Sequence, residues 1–99
     1  MKAYWIARSK VNDAALYKRY TDQVPAIVAA HGGTFLARGG VFEILEGPEK
    51  FHRFVVIEFP SLEQARACHD SPAYRAASQW RQQDGAGEVE LVIVEGVAP

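Results

Sequence analysis

The sequence predicts one α+β domain with the element order β-α-β-β-α-β, a four-stranded antiparallel sheet and all helices on one face of that sheet. Three observations support this prediction. The strand candidates are short, rich in β-branched and aromatic residues, and bounded by glycine and proline. The helix candidates carry capping residues and apolar stripes at helical spacing. The strands are also apolar on both faces, although the helices can cover only one of the two.

The first strand is predicted over residues 2–8, where both alternating sets of side chains are apolar. A helix follows and begins at Asn12 or Asp13, because either side chain can accept a hydrogen bond from a free amide of the first turn. Pro25 interrupts the apolar stripe of this helix, so we expect a kink or a break just before it. Gly32-Gly33 supplies the left-handed residue that ends helices.

The second and third strands are predicted from the middle of the chain. Residues 34–38 form the second strand, and Gly39-Gly40 forms a turn or a bulge. Residues 41–46 then either continue that strand or pair with it as a hairpin. Residues 53–59 are the strongest strand candidate in the chain, because they are almost entirely β-branched and aromatic.

The second helix has two start signals. Ser61 and Gln64 form a capping box, in which the serine oxygen accepts the amide of the glutamine. Ser71-Pro72 restarts the helix with a cap followed by proline at the first helical position, and this piece extends to about Gln82. The last strand is predicted over residues 88–95. The complete order is that of a ferredoxin-like sandwich, with no linker or second domain in the 99 residues.

The second apolar face of the sheet predicts a partner. In the strongest strand, Phe54 and Val56 point one way while Val55 and Ile57 point the other. A sheet with one solvated face should alternate apolar and polar residues, so a face without helices needs some other cover. We therefore expect a homodimer in which two copies pack through their helix-free sheet faces.

Composition limits the other partners and the location. The chain has 11 basic and 12 acidic residues, whereas nucleic-acid and acidic-membrane binding normally need a basic excess. We expect neither partner, and no segment approaches the roughly 20 apolar residues that span a bilayer. No secretory signal is visible and the single cysteine, Cys68, cannot form a disulfide within the chain. A cytoplasmic location is therefore expected.

Glu58 and Arg38 are the leading candidates for a functional site. Glu58 shares a strand face with Phe54 and Val56, and a carboxylate among apolar residues suits a catalytic base in a pocket between sheet and helices. Arg38 precedes Gly39-Gly40, which would let an anion approach the guanidinium closely. The alternatives are an ion pair between the two residues, an edge position for Glu58, and a simple bulge at the glycines.

His31 is a second candidate for proton transfer, since histidine titrates near neutral pH. It ends the first helix, so the alternative is a contact with the free carbonyls there. Three histidines without HxH or HxxxH spacing and one cysteine indicate no metal site, and no cofactor is expected, although spacing alone leaves a haem on one histidine open. Cys68 is expected to be an unreactive packing residue.

Tyr74 and Arg81 are the remaining candidates for binding a substrate. Both fall on one stripe of the second helix, so the tyrosine ring should pack inward with its hydroxyl near the sheet. Arg81 and Arg53 could hold the same anion as Arg38. The alternatives are that the aromatic stripe is core and that both arginines lie on the surface.

The sequence also resembles a known family. The resemblance rests on GGTFLARGG at residues 32–40, EG at 46–47, VIEFPS at 56–61 and SPAY at 71–74, with Arg81 further on. These segments are similar to those of a short bacterial family classed only as a domain of unknown function, within the dimeric α/β-barrel superfamily. The resemblance implies a ferredoxin-like protomer and a sheet-to-sheet dimer. It implies no established reaction, because the superfamily includes monooxygenases, isomerases, haem proteins and ligand sensors.

Two functional hypotheses follow. The first is a cofactor-free enzyme, similar to a monooxygenase or an isomerase, that acts on a small, partly apolar and anionic molecule in a helix–sheet pocket. Glu58 or a histidine would transfer the proton, and Arg38 would hold developing negative charge. The second is a non-catalytic module that binds a metabolite or another protein. A ligand-sized pocket that exposes Glu58 would favour the enzyme, whereas a filled helix–sheet interface would favour the module.

Overall fold

The computed structural model describes residues 1–98 of the chain and confirms the predicted fold class. Its four strands form one antiparallel sheet in the order β2-β3-β1-β4, and the helices cover one face, as in a ferredoxin-like fold. The elements are β1 (Ala3–Val11), α1 (Ala14–Thr21), α2 (Val24–Ala30), β2 (Thr34–Arg38), β3 (Arg53–Phe59), α3 (Leu62–Asp70), α4 (Pro72–Gln82) and β4 (Gly87–Glu95), with a 3₁₀ turn at Gln83–Gly85 before β4.

The helix boundaries follow the local capping signals. Asp13 caps α1 by accepting the amide of Leu16 at 3.1 Å. The first helix breaks before Pro25, as expected, so that α1 and α2 are separate. Ser61 caps α3, and Ser71 caps α4 by accepting the amide of Tyr74.

The helix-facing side of the sheet carries the core. Trp5 of β1 and Ile57 and Phe59 of β3 are at most 2% exposed and pack against the helices. Tyr74 of α4 completes this layer. Its ring packs edge-on against the ring of Trp5, and the two ring centroids lie 5.1 Å apart. The interior between sheet and helices is therefore built mainly from aromatic side chains.

The helix-free side of the sheet has an apolar centre that is exposed in the single chain, while ion pairs such as Arg8–Glu90 lie towards one end. Ile6 of β1 is 42% exposed, and Val92 and Val94 of β4 are 60% and 49% exposed. These residues point away from the helices because their neighbours along each strand point into the core. The predicted second apolar face is thus present.

The prediction of a strand over residues 41–46 is wrong for the single chain. Gly39 takes a φ of 66° and turns the chain out of β2, and residues 40–51 belong to no helix or strand. We call residues 39–52 the arm. The arm rises over one end of the helix-free face, where the rings of Phe42 and Phe54 lie 4.8 Å apart and Phe51 is buried beside the guanidinium of Arg8. None of the helices described here is both long and apolar enough to cross a bilayer.

Candidate functional site

A small cavity and an open cleft adjoin where α1 crosses the sheet, and we call the two together the α1 site. The inner cavity measures about 30 Å³ and the outer cleft about 400 Å³. Four side chains line both spaces, namely Tyr17, Thr21, Arg38 and Arg53. The site is therefore formed by α1 together with one end of β2 and β3.

Ser9 makes the inner cavity polar. Its side chain comes from β1 and is 3% exposed, and its Oγ has no hydrogen-bond partner within residues 1–98. A water needs roughly 10–15 Å³ of such space, so the cavity can hold two or three waters but no aromatic substrate. Ser9 was not among the predicted site residues, although its position two residues after the inward-facing Ala7 indicated the same side of the sheet.

Arg38 reaches the α1 site because of a register shift in β2. The pairing of β2 with β3 is irregular between Phe35 and Ala37, which places Arg38 opposite the core residue Val55. Its Nη2 donates to the carbonyl of Thr21 at 2.8 Å, and its guanidinium lies 5.0 Å from the ring centre of Phe35. Arg38 is thereby fixed between the sheet edge and the end of α1.

Arg53 stands next to Arg38 at the cleft and lies opposite Ser9 of β1. Its guanidinium lies 5.7 Å from the ring centre of Tyr17. Within the part of the chain that the structure describes, neither arginine forms an ion pair with a carboxylate. The outer cleft therefore presents two guanidinium groups without counter-ions. Arg53 is half-buried, so the surface placement considered for it applies only in part.

Glu58 lies on the other side of the sheet, so its expected placement in a helix–sheet pocket is wrong. Its neighbours Ile57 and Phe59 face the helices, and strand alternation directs Glu58 to the helix-free face. There it lies 3.4 Å from both the Nζ of Lys2 and the hydroxyl of Tyr4. An ion pair with Arg38 is excluded as well, because the bulge in β2 moves that arginine to the helix side.

His31 sits at the C-cap of α2, away from the α1 site. Its Nδ1 lies 2.9 Å from the carbonyl oxygen of Ile27, one turn earlier in the helix. This contact satisfies one of the carbonyls that a helix end leaves free. The structure therefore places His31 in the helix-end role that was the alternative to proton transfer.

Tyr74 and Arg81 are brought together, with Tyr20 of α1 as a third member that the sequence analysis did not select. The hydroxyls of Tyr20 and Tyr74 lie 2.8 Å apart in the core, and the guanidinium of Arg81 lies 5.2 Å from the ring centre of Tyr20. Arg81 is half-buried, so its surface placement applies only in part, and its Nε is buried without a partner within residues 1–98. Burial, followed by the neighbouring Tyr74, raises the pKa of Tyr20 well above 10.0.

Cys68 and His69 do not form a reactive pair. Cys68 is fully buried, and burial raises the pKa of its thiol to about 11. The ring of His69 packs against Trp5, and its Nδ1 lies 3.0 Å from Asp70. Hydrogen bonds from His69 and then Arg66 lower the pKa of Asp70. Over residues 1–98, no three His, Cys, Asp or Glu side chains are grouped closely enough to hold a metal ion.

Solved structures with a similar fold include dimers and an oxygenase. A protein of unknown function from Rhodopseudomonas palustris is 20% identical, with a TM-score of 0.77 over 99% of this chain and 84% of that one. SnoaB, a cofactor-independent oxygenase from Streptomyces nogalater, is 15% identical, with a TM-score of 0.65 over 99% and 95%. A dimeric protein of unknown function and ferredoxin-like fold from Bacteroides fragilis is 16% identical, with a TM-score of 0.63 over 96% of each chain.

Identities this low show the shared fold alone. Among curated proteins, none matches this chain. The family model of the domain of unknown function DUF1330 matches residues 2–97. The chain therefore belongs to the DUF1330 family, and its sequence resemblance to a family classed only as a domain of unknown function is confirmed.

Proposed function

We propose that this protein is a homodimeric binding module that holds a small anion at the α1 site, between Arg38 and Arg53. The observation that carries the proposal is the pair of guanidinium groups on a cleft of about 400 Å³, neither of them paired with a carboxylate within residues 1–98. Guanidinium groups bind carboxylates and phosphates through two parallel hydrogen bonds, so two of them favour an oxyanion.

The surroundings of the cleft favour an anion that carries an apolar part. Tyr17 and Val11 line the same space and give it apolar wall, although Tyr17 itself is mostly buried. Lys18 also lines the cleft, but its Nζ is held by Asp22 at 2.8 Å. The two arginines thus supply the free positive charge, and a carboxylate on a small ring or a branched chain fits the remaining surface.

Binding is favoured over catalysis because the groups expected to transfer a proton are elsewhere. Glu58 is on the helix-free face, and His31 contacts the end of its own helix. The inner cavity of about 30 Å³ is too small for a substrate, so the part of the helix–sheet interface beneath α1 is essentially filled. Tyr20 lines this cavity, but its raised pKa keeps it protonated at neutral pH.

A cofactor-free enzyme is the second candidate. One observation favours it. Ser9, whose Oγ has no hydrogen-bond partner within residues 1–98, and Tyr20, whose hydroxyl is hydrogen-bonded to Tyr74, both border the inner cavity. A reactant held by the arginines would have these hydroxyls beneath it as hydrogen-bond donors. Oxygen uptake with phenolic substrates that also carry a carboxylate, abolished by Ser9→Ala, would support this candidate over the binding module.

The dimer is proposed to form through the helix-free face. That face exposes Ile6, Val92 and Val94, and the fold is shared with a dimeric protein of unknown function. Burying several hundred Å² of apolar surface contributes several kcal/mol at roughly 25 cal/mol per Å². The α1 site lies on the helix side, so it would stay open in each copy of such a dimer.

Titration by NMR tests the binding proposal. Benzoate and inorganic phosphate should shift the amide signals of Thr21 and Gly39, whereas the neutral analogue benzamide should not. Arg38→Met and Arg53→Met should each weaken the binding of benzoate about tenfold or more, because each removes one charged hydrogen-bonding group. Arg75→Met, which removes an exposed arginine from α4, should have no effect. The absence of shifts with both anions would refute the proposal.

A further inference from the structure

The arm has two apolar sides, and only one of them is used within the chain. Phe42 packs on Phe54 and Ile44 is half-buried, whereas Val41 is 104% exposed and Leu45 is 86% exposed. Residues alternate between two directions with the period of an extended strand. A single fully exposed apolar side chain is common on protein surfaces. Two of them on the same side of one segment indicate a surface that a partner covers.

The backbone of the arm is also without partners. The amide of Gly39 donates to the carbonyl of Phe54, and that of His52 donates to the carbonyl of Ser9. Between these anchors, residues 40–51 make no main-chain hydrogen bond to any of residues 1–98. The arm is therefore a segment held at both ends, whose amides and carbonyls are free to pair with an edge strand.

A strand edge with a matching groove exists at the other side of the sheet. β4 pairs only with β1, so one edge of its nine residues is open. Beside that edge, a groove of about 900 Å³ runs between β4 and α3. Its apolar part is formed by Leu62, Leu91 and Ile93, and polar side chains of α3, namely Glu63, Arg66, His69 and Asp70, line the rest. An open edge beside a partly apolar groove is the arrangement to which an added strand binds, with its backbone on the edge and alternate side chains in the groove.

We propose that the arm of each copy adds to the open β4 edge of its partner, with Val41 and Leu45 seated in the groove between the partner's β4 and α3. The inference rests on the proposed dimer and specifies its second contact. A copy's own β4 is not the natural acceptor, because β3 and β1 lie between β2, from which the arm departs, and β4. In a face-to-face dimer the arm stands above its own sheet, on the side where the partner lies.

Strand alternation supports this partner. A strand added to the β4 edge directs one set of side chains to the helix side of the sheet and the other set to the helix-free side. Phe42 already packs on Phe54 at the helix-free side of its own sheet, which is the interior of the proposed dimer. In an added strand, Ile44 shares the direction of Phe42, whereas Val41 and Leu45 point outward, to the level of the partner's helices and the apolar part of the groove. The arm thus becomes the strand that its sequence pattern predicts.

Cysteine cross-linking between different copies tests the inference. Leu45→Cys and Ile93→Cys are prepared separately and mixed under oxidising conditions, so that a disulfide between the two variants can only join two chains. We expect a covalent dimer in the mixture and none between Ala26→Cys, on the exposed side of α2, and Ile93→Cys. Should Ile93→Cys not fold, Leu62→Cys on α3 takes its place, because Leu62 is 37% exposed and lines the same groove.

Hydrogen exchange supplies an independent readout. Amides over residues 41–46 should exchange roughly tenfold or more slowly in the native dimer than in a monomeric variant such as Val92→Glu, because an added strand protects them. A native protein that is monomeric by light scattering overturns the dimer and the arm contact together. A dimer that gives no cross-link and no protection of the arm overturns the arm contact alone.

Discussion

The free guanidinium groups of the α1 site depend on where the carboxylates of the sheet lie. Glu58, Glu88 and Glu90 all project from the helix-free face, where they pair with basic residues of that face. Arg38 and Arg53 are on the helix side, beyond the reach of those carboxylates. The alternation of side chains along the strands therefore puts these carboxylates on one face of the sheet and the two arginines on the other. The order of the residues in the sequence does not show this separation.

The separation predicts that Glu58 and Arg38 are energetically independent. Arg38 pairs with Val55, which lies three residues before Glu58 on β3, or about 10 Å along the strand at 3.3 Å per residue. The side chains of Arg38 and Glu58 also point to opposite faces of the sheet. The free-energy losses of Glu58→Gln and Arg38→Met should add to within about 0.5 kcal/mol in the double mutant. Urea denaturation of the four proteins measures this, and a coupling of 2 kcal/mol or more, as roughly expected for a buried ion pair, would contradict the structure.

Cys68 should be unreactive in the folded protein. With a pKa of about 11, only about one thiol in ten thousand is ionised at pH 7, and the side chain is fully buried. Labelling with a small maleimide at pH 7 should therefore be much slower than in urea. Its rate should be unchanged in His69→Ala, because His69 faces Trp5 and Asp70 rather than the thiol. Fast labelling that requires His69 would point to an active site on α3.

At the level of secondary-structure elements, local signals were sufficient to predict most of the boundaries. Asp13, Ser61 and Ser71 cap helices as predicted, because a cap depends only on residues within one turn. The bulge between Phe35 and Ala37 was not predictable, since a register shift depends on how β2 meets β3. That one shift places Arg38 on the helix side of the sheet, opposite Val55, and so separates it from Glu58.

The arm and Glu58 illustrate two other limits of the sequence. Alternation showed that Glu58 shares a face with Phe54 and Val56, but both faces of β3 are apolar, so the pattern could not say which of them the helices cover. Residues 41–46 have the pattern of a strand, yet a strand exists only where another strand pairs with it. Within residues 1–98 the arm has no such partner, and the proposed pairing with a second copy would supply one.

The junction of α2 and β2 requires glycine at position 33. A Cβ added there would lie 2.6 Å from Cγ1 of Val28 and 2.8 Å from Cε1 of Phe59, two of the most deeply buried side chains. Gly33→Ala should lower the free energy of unfolding by about 1–3 kcal/mol, because neither neighbour can move without disturbing the core. Gly40→Ala, with no atom within 4 Å of the added Cβ, should change it by less than about 0.5 kcal/mol. Equal effects in urea melts would contradict this packing.

At the scale of the whole molecule, the sheet has apolar residues on both faces, but the helices form a layer on only one of them. The helix layer covers the face of Trp5 and Ile57, and the arm covers only the end of the other face near Phe54. The remainder exposes Val92 at 60% and Val94 at 49%. The proposed dimer through this face would explain why the centre of the face lacks the polar alternation of a solvated sheet. It would also leave both α1 sites accessible on the outer helix sides.

The dimer predicts a different response to a charge on each side of the molecule. Val92→Glu places a carboxylate in the centre of the proposed interface but disturbs the single chain little, because Val92 is mostly exposed there. Light scattering after gel filtration at micromolar concentration should show twice the chain mass for the native protein and the chain mass for Val92→Glu. Ala76→Glu, on the exposed side of α4, should remain dimeric. The thermal midpoint of the native protein and of Ala76→Glu should rise with protein concentration, because unfolding of a dimer includes dissociation. The midpoint of Val92→Glu should be independent of concentration. A folded native monomer at micromolar concentration would refute the dimer.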